Sequence, residues 1–170
     1  MRQRLFPFAL AIGVVALDRI SKGIIKSSIA LWDRPLDVIP GLFDIVHTEN
    51  PGIAFGLLAD VSSPWHSLLL IGFSLAVLVV IATMLLRGDR GVHSKVMRAG
   101  LALVLGGACG NLYDRIVNGT VTDFIEVHAG QHYFPAFNVA DSAISVGAGL
   151  LLLDMWLARE RKSQTADAHR

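Results

Sequence analysis

The sequence predicts a mainly α membrane protein. It has four transmembrane helices, a small extracytoplasmic β-sheet cradle and a short surface helix. Three observations predict this. Of 170 residues, 53% are hydrophobic and only 17% are charged, with a mean hydropathy of +0.54, whereas a soluble domain is about a quarter charged. Apolar runs recur four times, near the roughly 20 residues that a spanning helix needs. Basic residues gather in alternate connections, the charge bias that sets membrane orientation.

The runs cover Leu5–Ile25, Ser67–Leu86, Ala99–Val117 and Val139–Ala158. The second, "SLLLIGFSLAVLVVIATMLL", carries no charge and reads as a plain anchor. The first holds Asp18, Arg19 and Lys22, the third Asn111, Asp114 and Arg115, and the fourth Asp141 and Asp154. Arg2 and Arg4 before the first run suggest a signal peptide. No small-x-small cleavage site follows, so a retained helix is the better reading. The single cysteine, Cys109, cannot form an intrachain disulfide.

Arg2 and Arg4 precede the first helix, and Arg87, Arg90, Lys95 and Arg98 join the second to the third. Arg159, Arg161, Lys162 and Arg170 follow the fourth. The other two connections are poor in base: Ser27 to His66 has only Arg34, and Asn118 to Phe137 has neither Lys nor Arg. Both termini are therefore expected in the cytoplasm, with the base-poor loops outside. Residues 1–160 are expected to form one integral membrane domain, and 161–170 a disordered cytoplasmic tail.

Within the outer loops, "PLDVIPGLFDIVHTE" and "TVTDFIEVH" are rich in β-branched and aromatic residues bounded by Gly, Pro and Asn. They predict short strands. In "ENPGIAFGLLAD", Asn50 suits an N-cap and Pro51 a first helical residue, predicting a surface helix over Pro51–Ala59.

Span order then brings polar groups together. The third helix runs outward, so Asn111, Asp114 and Arg115 fall in its outer half, and Asp123 follows its exit. The fourth runs inward, so Asn138 and Asp141 stand at its outer mouth. Asn50 arrives at the same depth. Asn111, Asp114, Arg115 and Asn118 share one helical face. Gly106 and Gly110 form a GxxxG pair that permits close helix approach. Asp18 and Lys22 are an i, i+4 pair in the favourable order, which reads as structural.

Taken singly, Asp141 or Asn138 reads equally as a helix cap, and Asp114 with Arg115 as a structural ion pair. Asp123 and Asp141 together resist that reading, because two acids facing one another near lipid are costly. At about 4 Å two like charges repel by roughly 4 kcal/mol at an effective dielectric near 20, about three pKa units. One acid then keeps a proton while the other ionises. The ionised member can deprotonate water, and the protonated one can hydrogen-bond the carbonyl under attack. No metal or covalent intermediate is required.

Other chemistries lack their residues. There is no HExxH or GxSxG, and Ser142 has no evident base. His128 and His132 have metal-like spacing, but Gly130 between them spoils a helix. A small transporter or channel with Asp18, Asp114, Asp123 and Asp141 as a proton relay is the rival from another class. It would string its acids through the membrane depth. The sequence clusters them outward, except for Asp18 beside Lys22.

The motifs "LDRISK", "NPGIAFGLL", "GNLYDR", "VTDFI" and "FNVADSAI" occur in this order. With them the chain resembles the bacterial lipoprotein signal peptidases, the type II signal peptidases. That resemblance implies a four-helix inner-membrane aspartic protease with an extracytoplasmic cradle, cleaving prolipoproteins before a diacylglyceryl-modified cysteine. It implies Asp123 and Asp141 as the catalytic dyad, and Asn50, Asn111, Arg115 and Asn138 as substrate-binding supports. Asp18, Lys22 and Asp114 become structural support. No metal or other cofactor is implied. The partners are the lipidated substrate and membrane lipid, with no nucleic acid, and the chain is expected to be a monomer. Arg19 stands where Gln is common, a departure that removes none of these residues. Which aspartate is the first base stays open.

Overall fold

The computed structural model describes residues 2–52, 64–87 and 94–167. In chain order it has α1 (Arg2–Ser28), β1 (Leu36–Ile39), β2 (Phe43–Asn50), α2 (Pro64–Arg87), α3 (Lys95–Asn118), β3 (Val121–Ala129), β4 (His132–Tyr133) and α4 (Val139–Asp167). The four helices coincide with the four apolar runs. Three of them, α2, α3 and α4, are long and apolar enough to cross a membrane. In α1 the interrupting Asp18 and Lys22 turn inward and are fully buried, while Leu17, Ile20 and Ile24 are exposed.

α3 is the centre of the bundle, packed against α4, α1 and α2. Its sequence permits this through absent side chains. A Cβ at Gly106 would stand 2.7 Å from the Ala11 carbonyl oxygen, and one at Gly107 would press closer still on that of Ala140. Any larger residue would force α1 or α4 away, so the small-residue face fixes both helices close. Ser94 begins α3 by accepting the Met97 N–H at 2.9 Å. Gly119 ends it in the left-handed conformation (φ 76°), its N–H donating to the Arg115 carbonyl.

The strands form one antiparallel sheet in the order β1-β2-β3-β4. The predicted "PLDVIPGLFDIVHTE" stretch divides into β1 and β2 around the turn at Pro40–Leu42. Ile45 pairs with Ile125 and Thr48 with Asp123. Val46 and His47 therefore oppose Phe124 alone, a bulge beside the candidate acid. Such bulges re-aim side chains.

α4 continues to Asp167, so the helix runs into the stretch from 161 that was expected to be a tail. That segment, "RKSQTAD", keeps helix formers enough to prolong an existing helix. Of the surface helix, Pro51 and Gly52 lie in a bend after β2, and its remaining residues, 53–59, fall outside the described residues.

Candidate active site

Asp123 lies mid-strand in β3 and is 2% exposed. Asp141 lies in the first turn of α4. The connection from β4 to α4 folds back on β3: the Phe124 and Ile125 N–H groups both donate to the Phe137 carbonyl, at 3.0 and 2.8 Å. That return places Asn138 between the two acids. Its side-chain Nδ2 donates to Asp123 Oδ1 at 2.6 Å, while its backbone N–H donates to Asp141 Oδ2 at 3.3 Å. Its Oδ1 accepts the Asp141 N–H at 2.9 Å, so Asn138 also caps α4. Both acids line one cleft of about 460 Å³, walled by Phe134, Phe137 and Ile144.

Each acid has further donors. Asn50 Nδ2 donates to Asp123 Oδ2 at 3.0 Å, and Asn50 Oδ1 accepts the Gly52 N–H at 2.9 Å. Asn111 Nδ2 donates to Asp141 Oδ1 at 2.7 Å. Burial, and then the neighbouring Asp141 charge, push the Asp123 carboxyl up from 3.8 to about 7. Hydrogen bonds from Asn50 and Asn138 and the charge of Lys22 oppose the rise.

Behind the pair stands a buried ionic cluster. Lys22 Nζ lies 2.9 Å from Asp18 Oδ2, 2.7 Å from Asp114 Oδ2 and 3.2 Å from Asn111 Oδ1. Asp18 Oδ1 accepts the Ala140 N–H at 3.1 Å. Arg19 pairs with Asp114 and lays its guanidinium 4.4 Å from the Tyr113 ring centroid. Asp114 thus pairs with α1, not with Arg115 beside it in sequence. Arg115 instead donates to the Gly52 carbonyl at 3.1 Å and holds the bend after Asn50. The predicted polar face of α3 divides: Asp114 turns to α1, while Asn111 and Arg115 turn to the side of Asp123 and Asp141.

All nine sequence-predicted residues gather here. Two further contributors join them. Arg19 enters the sequence reading as a charge in the first run and as a departure from a common Gln, with no role assigned, yet it completes the pairing of Asp114. Glu49 ties the back of the sheet: Thr120 and Thr122 donate to it at 2.5 and 3.1 Å, and Lys26 lies 3.4 Å away. Burial raises the Glu49 carboxyl, but those hydroxyls and Lys26 outweigh it and hold it below the usual value. The helical spacing of Arg19 from Asp18 and Lys22 is the one available signal. His128, a possible metal ligand by spacing, stands 3.2 Å from Asp44 and stacks on Tyr133 at 4.7 Å.

Comparison with known proteins adds a family. The sequence profile described as Signal peptidase (SPase) II matches residues 10–157. A lipoprotein signal peptidase of Solibacter usitatus is 43% identical over 148 residues, 87% of this chain and 88% of the relative. One of Pseudomonas aeruginosa PAO1 is 46% identical over 155 residues, 90% and 88% of the two chains. A solved structure, described as a bacterial membrane enzyme determined by the in meso method at 2.3 Å resolution, superposes with a TM-score of 0.81 at 26% identity. It covers 92% of this chain and 91% of its own. From the span of the profile match and these identities, the chain belongs to the signal peptidase II family.

Proposed function

We propose that this protein removes the signal peptide from prolipoproteins by aspartic-protease chemistry, with Asp123 and Asp141 as the dyad. The peptidase activity and the bacterial membrane setting follow from the family. The observation that carries the two-aspartate reading is Asn138, one residue bonded to both carboxylates at the wall of one cleft.

Charge balance supports the same reading. Lys22 and Arg19 match Asp18 and Asp114. Arg115 is then left to offset the dyad, and its guanidinium interacts with both carboxylates. One cation against two buried acids favours a pair holding one proton and one negative charge. The pairing of Asp18 and Asp114 also removes them from any transmembrane proton relay.

In this mechanism the peptide bond before the lipidated cysteine lies across the cleft mouth, extended. Water between the carboxyls loses a proton to the ionised aspartate as its oxygen bonds the carbonyl carbon. The protonated aspartate gives its proton to the carbonyl oxygen. Collapse of the tetrahedral centre breaks the C–N bond. The amine leaves with the proton taken from water, and the other proton returns to the dyad. Asn50, Asn111, Arg115 and Asn138 hold the carboxylates and offer contacts to the substrate backbone.

In this reading four helices, α1 included, span the inner membrane, with both termini in the cytoplasm and the dyad at the outer face; the basic-residue bias of the connections supports it. The chain acts as a monomeric domain, with lipid and the diacylglyceryl-modified substrate as partners and no cofactor. The test is substitution with a lipidated peptide substrate. Asp123→Asn and Asp141→Asn each lower turnover by about 10³-fold or more while the protein still inserts. Normal cleavage by either variant removes the dyad from the mechanism. EDTA leaves cleavage unchanged.

A further inference from the structure

The two carboxylates are not equivalent. Asp123 accepts from two neutral amides, Asn50 Nδ2 at 3.0 Å and Asn138 Nδ2 at 2.6 Å. Asp141 accepts from the Asn138 backbone N–H and from Asn111 Nδ2 at 2.7 Å. The Asn111 amide is itself gripped by an ammonium, since Lys22 Nζ donates to its Oδ1 at 3.2 Å. A lysine ammonium only donates, so this contact fixes the amide's orientation and leaves Nδ2 facing Asp141. It also polarises the amide, because successive hydrogen bonds strengthen one another at low dielectric. Asp141 further occupies the first turn of α4, where the helix dipole favours negative charge.

We infer that Lys22, acting through Asn111, keeps Asp141 as the ionised member of the pair, making Asp141 the base toward water and Asp123 the acid toward the carbonyl. The inference rests on the two-aspartate reading above. Lys22 is a positioning residue here, since it touches neither water nor substrate. In the first step water gives its proton to Asp141 as its oxygen bonds the carbonyl carbon, and Asp123 delivers the shared proton to the carbonyl oxygen. In the second step the C–N bond breaks, Asp141 returns its proton to the amine, and Asp123 recovers one from the hydroxyl.

The charged groups around Asp141 come from three elements. α1 brings Lys22 and Asp18, α3 brings Arg115 and Asp114, and β3 brings Asp123. The α2 side of the neighbouring cleft is Leu70, Phe73, Ser74 and Val77, none of which titrates. The charge of Lys22 reaches both acids, but only Asp141 is joined to it through the Asn111 amide, so its removal separates the two.

The experiment reads each acid alone, in Asp123→Asn and Asp141→Asn backgrounds, by infrared titration of the surviving carboxyl. The perturbation is the charge-silent double exchange Asp18→Asn with Lys22→Met, compared with Asp18→Asn alone. The Asp18→Asn exchange keeps an acceptor for the Ala140 N–H. Loss of Lys22 moves the Asp141 midpoint upward by about one pH unit, and the Asp123 midpoint by less than half as much. Equal shifts, or a larger one at Asp123, overturn the assignment while leaving the dyad intact. Full turnover in either dyad variant instead overturns the dyad itself. If the double exchange does not fold, Lys22→Gln, which keeps a donor to Asn111 without the charge, is read by the same comparison.

Discussion

α2 and α3 are both 24 residues long and both long and apolar enough to span a bilayer, yet they occupy opposite situations. Only 11% of the most apolar stretch of α2 is buried inside the protein, against 50% for α3. The more apolar helix stands outside and the more polar one in the middle. Lipid tails solvate Leu as well as a protein core does, so apolarity gives α2 no reason to be internal. Polar and ionised groups have the opposite need, because in hydrocarbon they must find protein partners. α3 carries Asn111, Asp114 and Arg115 and is therefore wrapped by α1, α4 and the sheet.

The sharpest way to break this comparison is to remove a buried charge from α3. Asp114→Ala leaves Lys22 and Arg19 without a shared partner, an expected loss of about 3–5 kcal/mol in thermal unfolding in bicelles. A loss below about 1 kcal/mol, the range of exposed pairs, would mean that the cluster is wet rather than buried. Gly107→Val, which must displace the Ala140 backbone or Ile144, is expected to cost about 1–3 kcal/mol. Gly72→Ala in α2, where an added Cβ meets nothing within 4 Å, serves as its control.

A pH series extends the comparison to the sheet. Asp123 ionises near 7 when folded and near 3.8 otherwise. Its contribution is therefore complete below pH 3.8 and lost as pH rises through 7. Stability should fall across that window by up to about 1.4 kcal/mol per pH unit. Unfolding midpoints of Asp123→Asn should show a flatter slope, and an unchanged slope would assign the dependence to another group. The smallest effect belongs to α2: Leu69, 71% exposed, should tolerate Ala within about 0.5 kcal/mol.

What the sequence displays and what it hides separate along one physical line. Helix positions and the meeting of Asp123 with Asp141 need only hydropathy and the order of spans. Each is a property of local composition. Asp123 follows the third apolar run and Asp141 opens the fourth, so the order of the runs alone brings them to the same end of the bundle. Partner choice is another matter. Asp114 has Arg115 beside it in the chain yet pairs with Lys22 and with Arg19, the latter 95 positions away. Helical spacing shows which residues share a face but not which neighbouring helix that face meets. Glu49 is hidden for the same reason, since Thr120 and Thr122 become its neighbours only through strand register. The division at Pro40–Leu42 is visible as turn residues, but the two-against-one bulge at Phe124 is not, because a bulge is a property of two paired strands.

The three asparagines around Asp123 and Asp141 carry a last consequence. Each amide is fixed at its far end by a second bond: Asn50 by the Gly52 N–H, Asn111 by Lys22, and Asn138 by the Asp141 N–H. None can rotate when a proton moves between the carboxyls without giving up that bond. In water, solvent dipoles would have to turn with every transfer. Here the dipoles are oriented once, during folding, so under the proposed mechanism each turnover would proceed with little reorganisation energy. Under the proposed mechanism the rate advantage would then lie less in the two acids than in the immobility of the amides that face them.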